Sequence, residues 1–242
     1  MEAKKRIIVA LDVPDMEQAC LLVEELAWSV GYFKIGLQLI SAGLHKEIEQ
    51  FIADCGCWSF LDGKFCDIPN TVGAAAKNAA ISGFQMFNVH ASCGIKAMQA
   101  AVANKGDAKV LAVTVLTSLG EDETNLIFGA PVKAKVLQFA RDAKLAGVDG
   151  LICSPKELKF LKQFPELEGL AFVTPGIRPK WAAKGDQVRI TTPRDAIKAG
   201  ADYLVIGRPI TKPPESVGSP KDAAEKIAEE IREAEEEKHS TD

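Results

Sequence analysis

Residues 58–71 read Trp58-Ser59-Phe60-Leu61-Asp62-Gly63-Lys64-Phe65-Cys66-Asp67-Ile68-Pro69-Asn70-Thr71, an apolar run that breaks into Asp62, Lys64 and Asp67. Side chains alternate faces along a strand, so Leu61 and Gly63 would share one side and Asp62 and Lys64 the other. An acid and a base are therefore predicted side by side at a strand end. Asp67 lies three residues past the lysine, just before Pro69, where it can turn back toward the pair or reach toward a second chain. Taken alone, the stretch also fits a surface ion pair at a strand tip.

The neighbouring sequence gives this strand seven companions. Short β-rich apolar runs recur at residues 6–11, 32–37, 58–61, 85–89, 109–116, 150–153, 170–174 and 203–206. Between them lie stretches of helical spacing. Cys20, Val23, Leu26 and Ala27 fall on one face, as do Val132, Val136, Leu137, Ala140 and Ala143. Alternating strand and helix calls for parallel strands joined by right-handed crossovers. Eight such units in about 220 residues fit a closed (β/α)8 TIM barrel, with an open doubly wound sheet as the alternative. The length of 242 residues would also permit two smaller domains, but no Pro- or Ser-rich linker separates them, so residues 1–242 are read as a single barrel domain.

Local punctuation supports these units. Thr192-Pro193-Arg194-Asp195 reads as an N-cap, a proline in the first turn and an acid behind it, and Gly200 closes the short helix. Asp15 with Gln18 has the form of a capping box, and Gly147 sits where a C-terminal glycine belongs. Residues 219–238, with Ala223, Ile227 and Ile231 on one side, predict a last, charged helix that caps the barrel and ends in a short acidic tail. The long stretch from Pro175 to Ile190 has no apolar period, and loops of that length are usually functional.

Apolar residues make up 47% of the chain and charged residues 26%, which excludes a disordered or fibrous class. The net charge of −4 is mostly local. Residues 221–242 hold nine acids and four bases, leaving 24 against 25 elsewhere, so no basic surface for nucleic acid is implied. No apolar run approaches the roughly 20 residues that span a bilayer, and the N-terminus carries no signal-peptide core, so a cytoplasmic protein without a membrane partner is expected. Six scattered cysteines suit free thiols in a reducing compartment. Cys55-Gly56-Cys57 has the form of a metal or redox pair, but no second pair or nearby histidine completes it.

In a barrel the active site lies at the C-terminal ends of the strands, and several runs end in polar residues: Asp12, Asp62 with Lys64, Asn88 with His90, Thr117 with Ser118, and Thr174. Lys34 sits inside Tyr32-Phe33-Lys34-Ile35-Gly36, and a lysine among apolar neighbours needs a counter-charge. Asp62 is the natural partner, which predicts an alternating array of Lys34, Asp62, Lys64 and Asp67. An ammonium between carboxylates is held charged and makes a positioned proton donor. A Schiff-base lysine would need a neutral amine and the opposite surroundings. A second constellation, Val205-Ile206-Gly207-Arg208-Pro209, has the form of a barrel phosphate site, with Arg208 as the cation and Gly207 allowing close backbone approach. Arg178 and Gln187, on the long loop, could fold over it as a lid. A tight turn with an exposed arginine is the plainer alternative.

The run at 61–71 resembles the Asp-x-Lys-x-x-Asp-Ile-Pro-Asn-Thr signature of the orotidine 5′-monophosphate decarboxylase family. The resemblance continues through residues 9–12, 33–36, 88–91, 113–118, 174–179, 185–187 and 205–210. It implies a decarboxylase without metal or cofactor that converts orotidine 5′-monophosphate to uridine 5′-monophosphate in pyrimidine synthesis. By the same resemblance Lys64 protonates the ring carbon, Lys34 and Asp62 complete the array, and Asp67 reaches the neighbouring subunit's site in a homodimer. Asp12, Asn70 and Thr71 are implied at the ribose and Thr117 near the pyrimidine. Gln187 is implied between lid and ligand, and Arg178, Gly207 and Arg208 at the phosphate. Two positions depart from the family's pattern: Gly63 replaces a larger apolar residue, which is expected to loosen the strand end, and Cys66 replaces a histidine and is read as a buried, inert thiol in preference to one close enough to the array to make activity sensitive to oxidation. His90 is read as a structural histidine in preference to a metal ligand. The competing readings are a magnesium-dependent sugar-phosphate enzyme on the same barrel and a phosphate-ligand binding protein that has lost catalysis.

Overall fold

In the computed structural model, which describes residues 1–182 and 191–239, every apolar run carries a strand. These are β1 (Ile7–Ala10), β2 (Tyr32–Ile35), β3 (Trp58–Phe65), β4 (Met86–His90), β5 (Lys109–Val113), β6 (Gly150–Ile152), β7 (Ala171–Thr174) and β8 (Tyr203–Ile206). All neighbours pair in parallel and β8 pairs back onto β1, closing the barrel in sequence order. The helices are α1 (Met16–Leu26), α2 (Leu37–Ser41), α3 (His45–Asp54), α4 (Pro69–Ile81), α5 (Ile95–Ala103), α6 (Glu121–Phe128), α7 (Val132–Ala146), α8 (Leu158–Leu161), α9 (Pro193–Ala199), α10 (Arg208–Thr211) and α11 (Pro220–His239). Among the described residues no helix is long and apolar enough to cross a membrane.

Strand alternation sorts the core into two shells. Ile8, Ala10, Tyr32, Phe60, Met86, Leu111, Val173, Tyr203 and Val205 fill the barrel interior. Their neighbours, among them Val9, Phe33, Ile35, Leu61 and Phe87, face outward onto the helices. Val23, Leu26, Val136, Ile227 and Ile231 are fully buried against that outer face, each side chain contributing about 1.5–3 kcal/mol. Tyr32 packs on Trp58 and Tyr203 at ring-centroid distances of 5.1 and 5.6 Å, closing the N-terminal mouth with aromatic surface. Two residues beyond the interior side chains Ala10, Tyr32, Phe60 and Met86 come Asp12, Lys34, Asp62 and Asn88. Period two thus delivers four polar side chains to the C-terminal rim.

The helix ends follow their sequence signals. Asp15 accepts from the Gln18 backbone N–H at 2.9 Å, and Thr192 from that of Asp195 at 3.1 Å. Gly147 and Gly200 end α7 and α9 with φ of 82° and 104°. α11 lies against α9, α1 and the N-terminal 3-10 turn, so it closes the ring of helices between the eighth unit and the first.

The largest departure from expectation is in β3. The strand does not stop at Leu61 but runs to Phe65 through a bulge, advancing from Leu61 to Phe65 while β4 advances only from Phe87 to Val89. Asp62 and Lys64 therefore belong to the strand. Their side chains meet across the bulge, where Lys64 leaves the regular pleat with φ of 48°.

Candidate active site

Three charged side chains from two adjacent strands meet at the rim. Asp62 receives Lys34 Nζ at 3.1 Å on Oδ2 and Lys64 Nζ at 2.7 Å on Oδ1. Lys34 also reaches Asp12 Oδ1 at 3.2 Å, so the array runs Asp12, Lys34, Asp62, Lys64. Lys34 and Asp62 are each 8% exposed. Burial by itself disfavours charge on both. On Lys34 it is outweighed by the carboxylates of Asp62 and then Asp12, which hold the lysine above its usual value. On Asp62 it is outweighed by Lys34 and then Lys64, which hold the carboxyl below the usual carboxylate range.

Glycine at 36 makes room for this meeting. A β-carbon there would stand 2.9 Å from Lys34 Nζ and 3.2 Å from Asp12 Oδ1. Asn88, fully buried on β4, donates from Nδ2 to Asp62 Oδ1 at 2.7 Å and accepts the Lys64 backbone N–H on Oδ1 at 2.7 Å. Lys64 has φ of 48°, the only positive value at a non-glycine residue among those described. That conformation costs of the order of 1 kcal/mol. At Gly63 a β-carbon would come within 2.9 Å of the Phe65 ring, which folds over the glycine and packs on Phe87 at 5.8 Å.

The array opens into a cavity of about 620 Å³ that is also lined by cationic side chains. Arg178, Gly207 and Arg208 line it, with Gln38 and Lys212 beside them, two residues that no motif singled out. Arg178 is 8% exposed and donates to the Ile177 carbonyl at 3.0 Å. Burial, and then the neighbouring charge of Arg208, push its guanidinium below the usual value. A concave wall that gathers like charge at an energetic cost is suited to an anion. Thr117 lines the same cavity, while Val113, Val115, Ile152, Cys153 and Val205 supply its apolar floor.

Not every expected residue arrives. Asp67, exposed, spends Oδ1 on the Ile68 backbone N–H at 2.6 Å and makes no ion pair among the described residues. The bulge and Pro69 carry the chain outward at that point, so Asp67 is absent from the array of its own chain. Asn70 and Thr71, on the exposed first turn of α4, likewise do not line the cavity. Thr174 is fully buried and donates to the Tyr203 carbonyl at 3.3 Å. Gln187 lies outside the described residues. Cys66 is exposed, not buried, because it follows the strand as the chain turns out. Burial, and then the Lys64 ammonium, push the His90 imidazole below its usual value. The described residues contain no cluster of three or more His, Cys, Asp or Glu side chains suited to a metal ion.

Comparison with known proteins gives the family. The sequence profile described as "Orotidine 5′-phosphate decarboxylase / HUMPS family" matches residues 5–227. A relative from Heliobacterium modesticaldum named orotidine 5′-phosphate decarboxylase is 43% identical over 244 residues, covering 96% of this chain and 98% of the relative. One of the same name from Syntrophomonas wolfei is 43% identical over 247 residues, covering 96% and 100%. The crystal structure of orotidine 5′-phosphate decarboxylase from Lactobacillus acidophilus superposes with a TM-score of 0.78 at 33% identity, covering 93% of this chain and 98% of that one.

Proposed function

Because the chain belongs to the orotidine 5′-phosphate decarboxylase / HUMPS family, we propose that it is a carboxy-lyase that converts orotidine 5′-monophosphate to uridine 5′-monophosphate without metal or cofactor. The observation that carries the reading is one cavity lined both by Lys64 and Asp62 and by Arg178 and Arg208. A nucleoside monophosphate has the matching polarity: a reacting ring at one end and a dianion at the other.

In this reading the C6–carboxylate bond of the substrate breaks, carbon dioxide leaves, and the electron pair remains on the ring carbon. Lys64 donates its proton to that carbon, and the neutral amine is then reprotonated from water. The carbanion lies in the plane of the ring, where no conjugated system can accept it, so stabilisation must come from nearby positive charge. The Lys64 ammonium is a fixed donor on a strand, and a fixed charge loses little to reorganisation at the moment of reaction. Lys34 keeps Asp62 ionised, and Asp62 in turn aims Lys64. The Asp62 carboxylate also stands where it repels the substrate carboxylate, a strain offset by phosphate binding at Arg178 and Arg208. Asp12 would hold the ribose while bridging to Lys34, and Thr117 would face the pyrimidine.

Asp67, Asn70 and Thr71 enter the proposal through a homodimer. All three are exposed around the start of α4, where a second copy could receive them in its own cavity. Gln187, outside the described residues, is assigned between lid and ligand on the family resemblance alone. The direct test is to add orotidine 5′-monophosphate to metal-free protein and follow the ultraviolet absorbance. Loss of absorbance with release of carbon dioxide is expected; no change with folded protein would reject the assignment.

A further inference from the structure

Asn88 serves both partners of the proposed proton-donating pair. Its side chain is fully buried, and each end of its amide has one task. Nδ2 donates to Asp62 Oδ1, the same oxygen that receives Lys64 Nζ. Oδ1 accepts from the Lys64 backbone N–H, which the β3 bulge removes from the ladder with β4. A carboxylate requires a donor and an N–H requires an acceptor, so only one amide orientation satisfies both. Leucine would satisfy neither, and aspartate would set a second carboxylate against Asp62. The residue whose N–H is held is also the one in the left-handed backbone region, a conformation that persists only where the surroundings impose it.

We infer that Asn88 is a positioning residue for the decarboxylation: it holds Lys64 in its left-handed conformation and turns the Asp62 carboxylate so that the ammonium points into the cavity. The inference rests on the roles assigned above to Lys64 and Asp62. It adds a residue from a third strand, β4, to a site otherwise contributed at this end by β2, β3 and the segment after β1. Asn88 touches Asp62 and Lys64 on β3, and the charged and titratable groups that in turn face those two are Lys34 on β2 and His90 on β4, with Asp12 after β1 paired to Lys34.

Two variants test it with purified, full-length protein. Asn88→Ala should lower kcat by about tenfold to a hundredfold, the usual effect of losing a hydrogen bond to a charged group. Its KM for orotidine 5′-monophosphate and its affinity for uridine 5′-monophosphate should stay within about threefold of the unmodified protein, because the cationic wall is untouched. Asn88→Asp keeps the size and the acceptor for Lys64, but works only while its other oxygen carries a proton toward Asp62. Its kcat relative to the unmodified protein should therefore fall as pH rises through the titration of the new carboxyl, a signature that loose packing would not produce. Unchanged kcat in Asn88→Ala, or a pH profile of Asn88→Asp parallel to the unmodified protein, overturns the inference. If Asn88→Ala does not fold, the Asn88→Asp profile decides. If the unmodified protein does not turn over orotidine 5′-monophosphate, the proposed function fails separately. Positioning is then judged from carbon-13 titration of the Asp62 carboxyl, which should move upward in Asn88→Asp; an unmoved titration rejects it.

Discussion

Lys64 and Asp62 are two residues apart on one strand, and their side chains meet at 2.7 Å although the backbone between them leaves the regular pleat. The contact is made across a bulge, with Lys64 at a φ of 48°. A regular strand would put the two side chains on one face without directing one at the other; the left-handed turn at Lys64 brings the ammonium back onto the carboxylate. The proposed chemistry depends on that turn.

Removing the ammonium should separate catalysis from binding. Lys64→Ala is expected to lower kcat by at least about a thousandfold, within the range seen when a positioned proton donor or charge stabiliser is lost. Binding of uridine 5′-monophosphate, measured by calorimetry, should remain. Turnover close to that of the unmodified protein would reject Lys64 as the donor.

The buried pair also sets the pH range of stability. Asp62 is held below its usual range, so its contribution is present above the unfolded carboxylate value of about 3.9 and is lost as pH falls through the folded value. Lys34 is held above its usual value, so its contribution is present below about 10.4 and is lost as pH rises through the folded value. Asp62→Asn should flatten the acid limb. Near neutrality it should cost about 3 kcal/mol in urea unfolding, because Lys34 then keeps only the exposed Asp12. An acid limb identical to that of the unmodified protein would count against the pairing.

Within the same cavity, Arg208→Ala should raise the dissociation constant of uridine 5′-monophosphate by at least about tenfold, the scale of one charge-assisted contact, and leave that of uridine nearly unchanged. Equal losses for nucleotide and nucleoside would move the phosphate site elsewhere.

Sharing of the site between subunits can be read from hybrids. Lys64→Ala and Asp67→Ala chains, each inactive alone, should regain part of the activity when mixed and allowed to exchange subunits. A mixture that exchanges, as followed by native mass spectrometry, but stays inactive would confine Asp67 to its own chain.

A chelator distinguishes this chemistry from that of a magnesium-dependent sugar-phosphate enzyme. Turnover of orotidine 5′-monophosphate should be unaffected by excess EDTA; loss that is restored by magnesium would overturn the metal-free reading.

Much of the molecule was legible without coordinates, and for local reasons. The eight strands and the caps at Asp15, Thr192, Gly147 and Gly200 depend on the period of apolar residues and on side chains within a few residues of one another. The pairing of Lys34 with Asp62 was also within reach, since a lysine inside an apolar run requires a carboxylate. The role of Asn88 was not. An asparagine at a strand end has no distinguishing local pattern, and its importance comes from a bulge in another strand. Gly36 could have been found by asking why glycine follows Lys34 two residues on, because only a missing β-carbon leaves space for the ammonium.

Spacing along the chain determined by itself that this protein alternates eight strands with helices and gathers charge at the strand ends, because strand and helix periods are local properties of the backbone; that the sheet closes into a barrel and is not an open doubly wound one was decided by the tertiary structure. Which charges touch was decided by closure of the barrel. Asp12 is 22 residues from Lys34, and Asn88 is 26 from Asp62, yet parallel pairing of adjacent strands sets them within hydrogen-bond distance. The same closure, with the bulge in β3, turned Lys64 inward and left Asp67 facing out, a division that sequence spacing could not make because both residues follow the same apolar run.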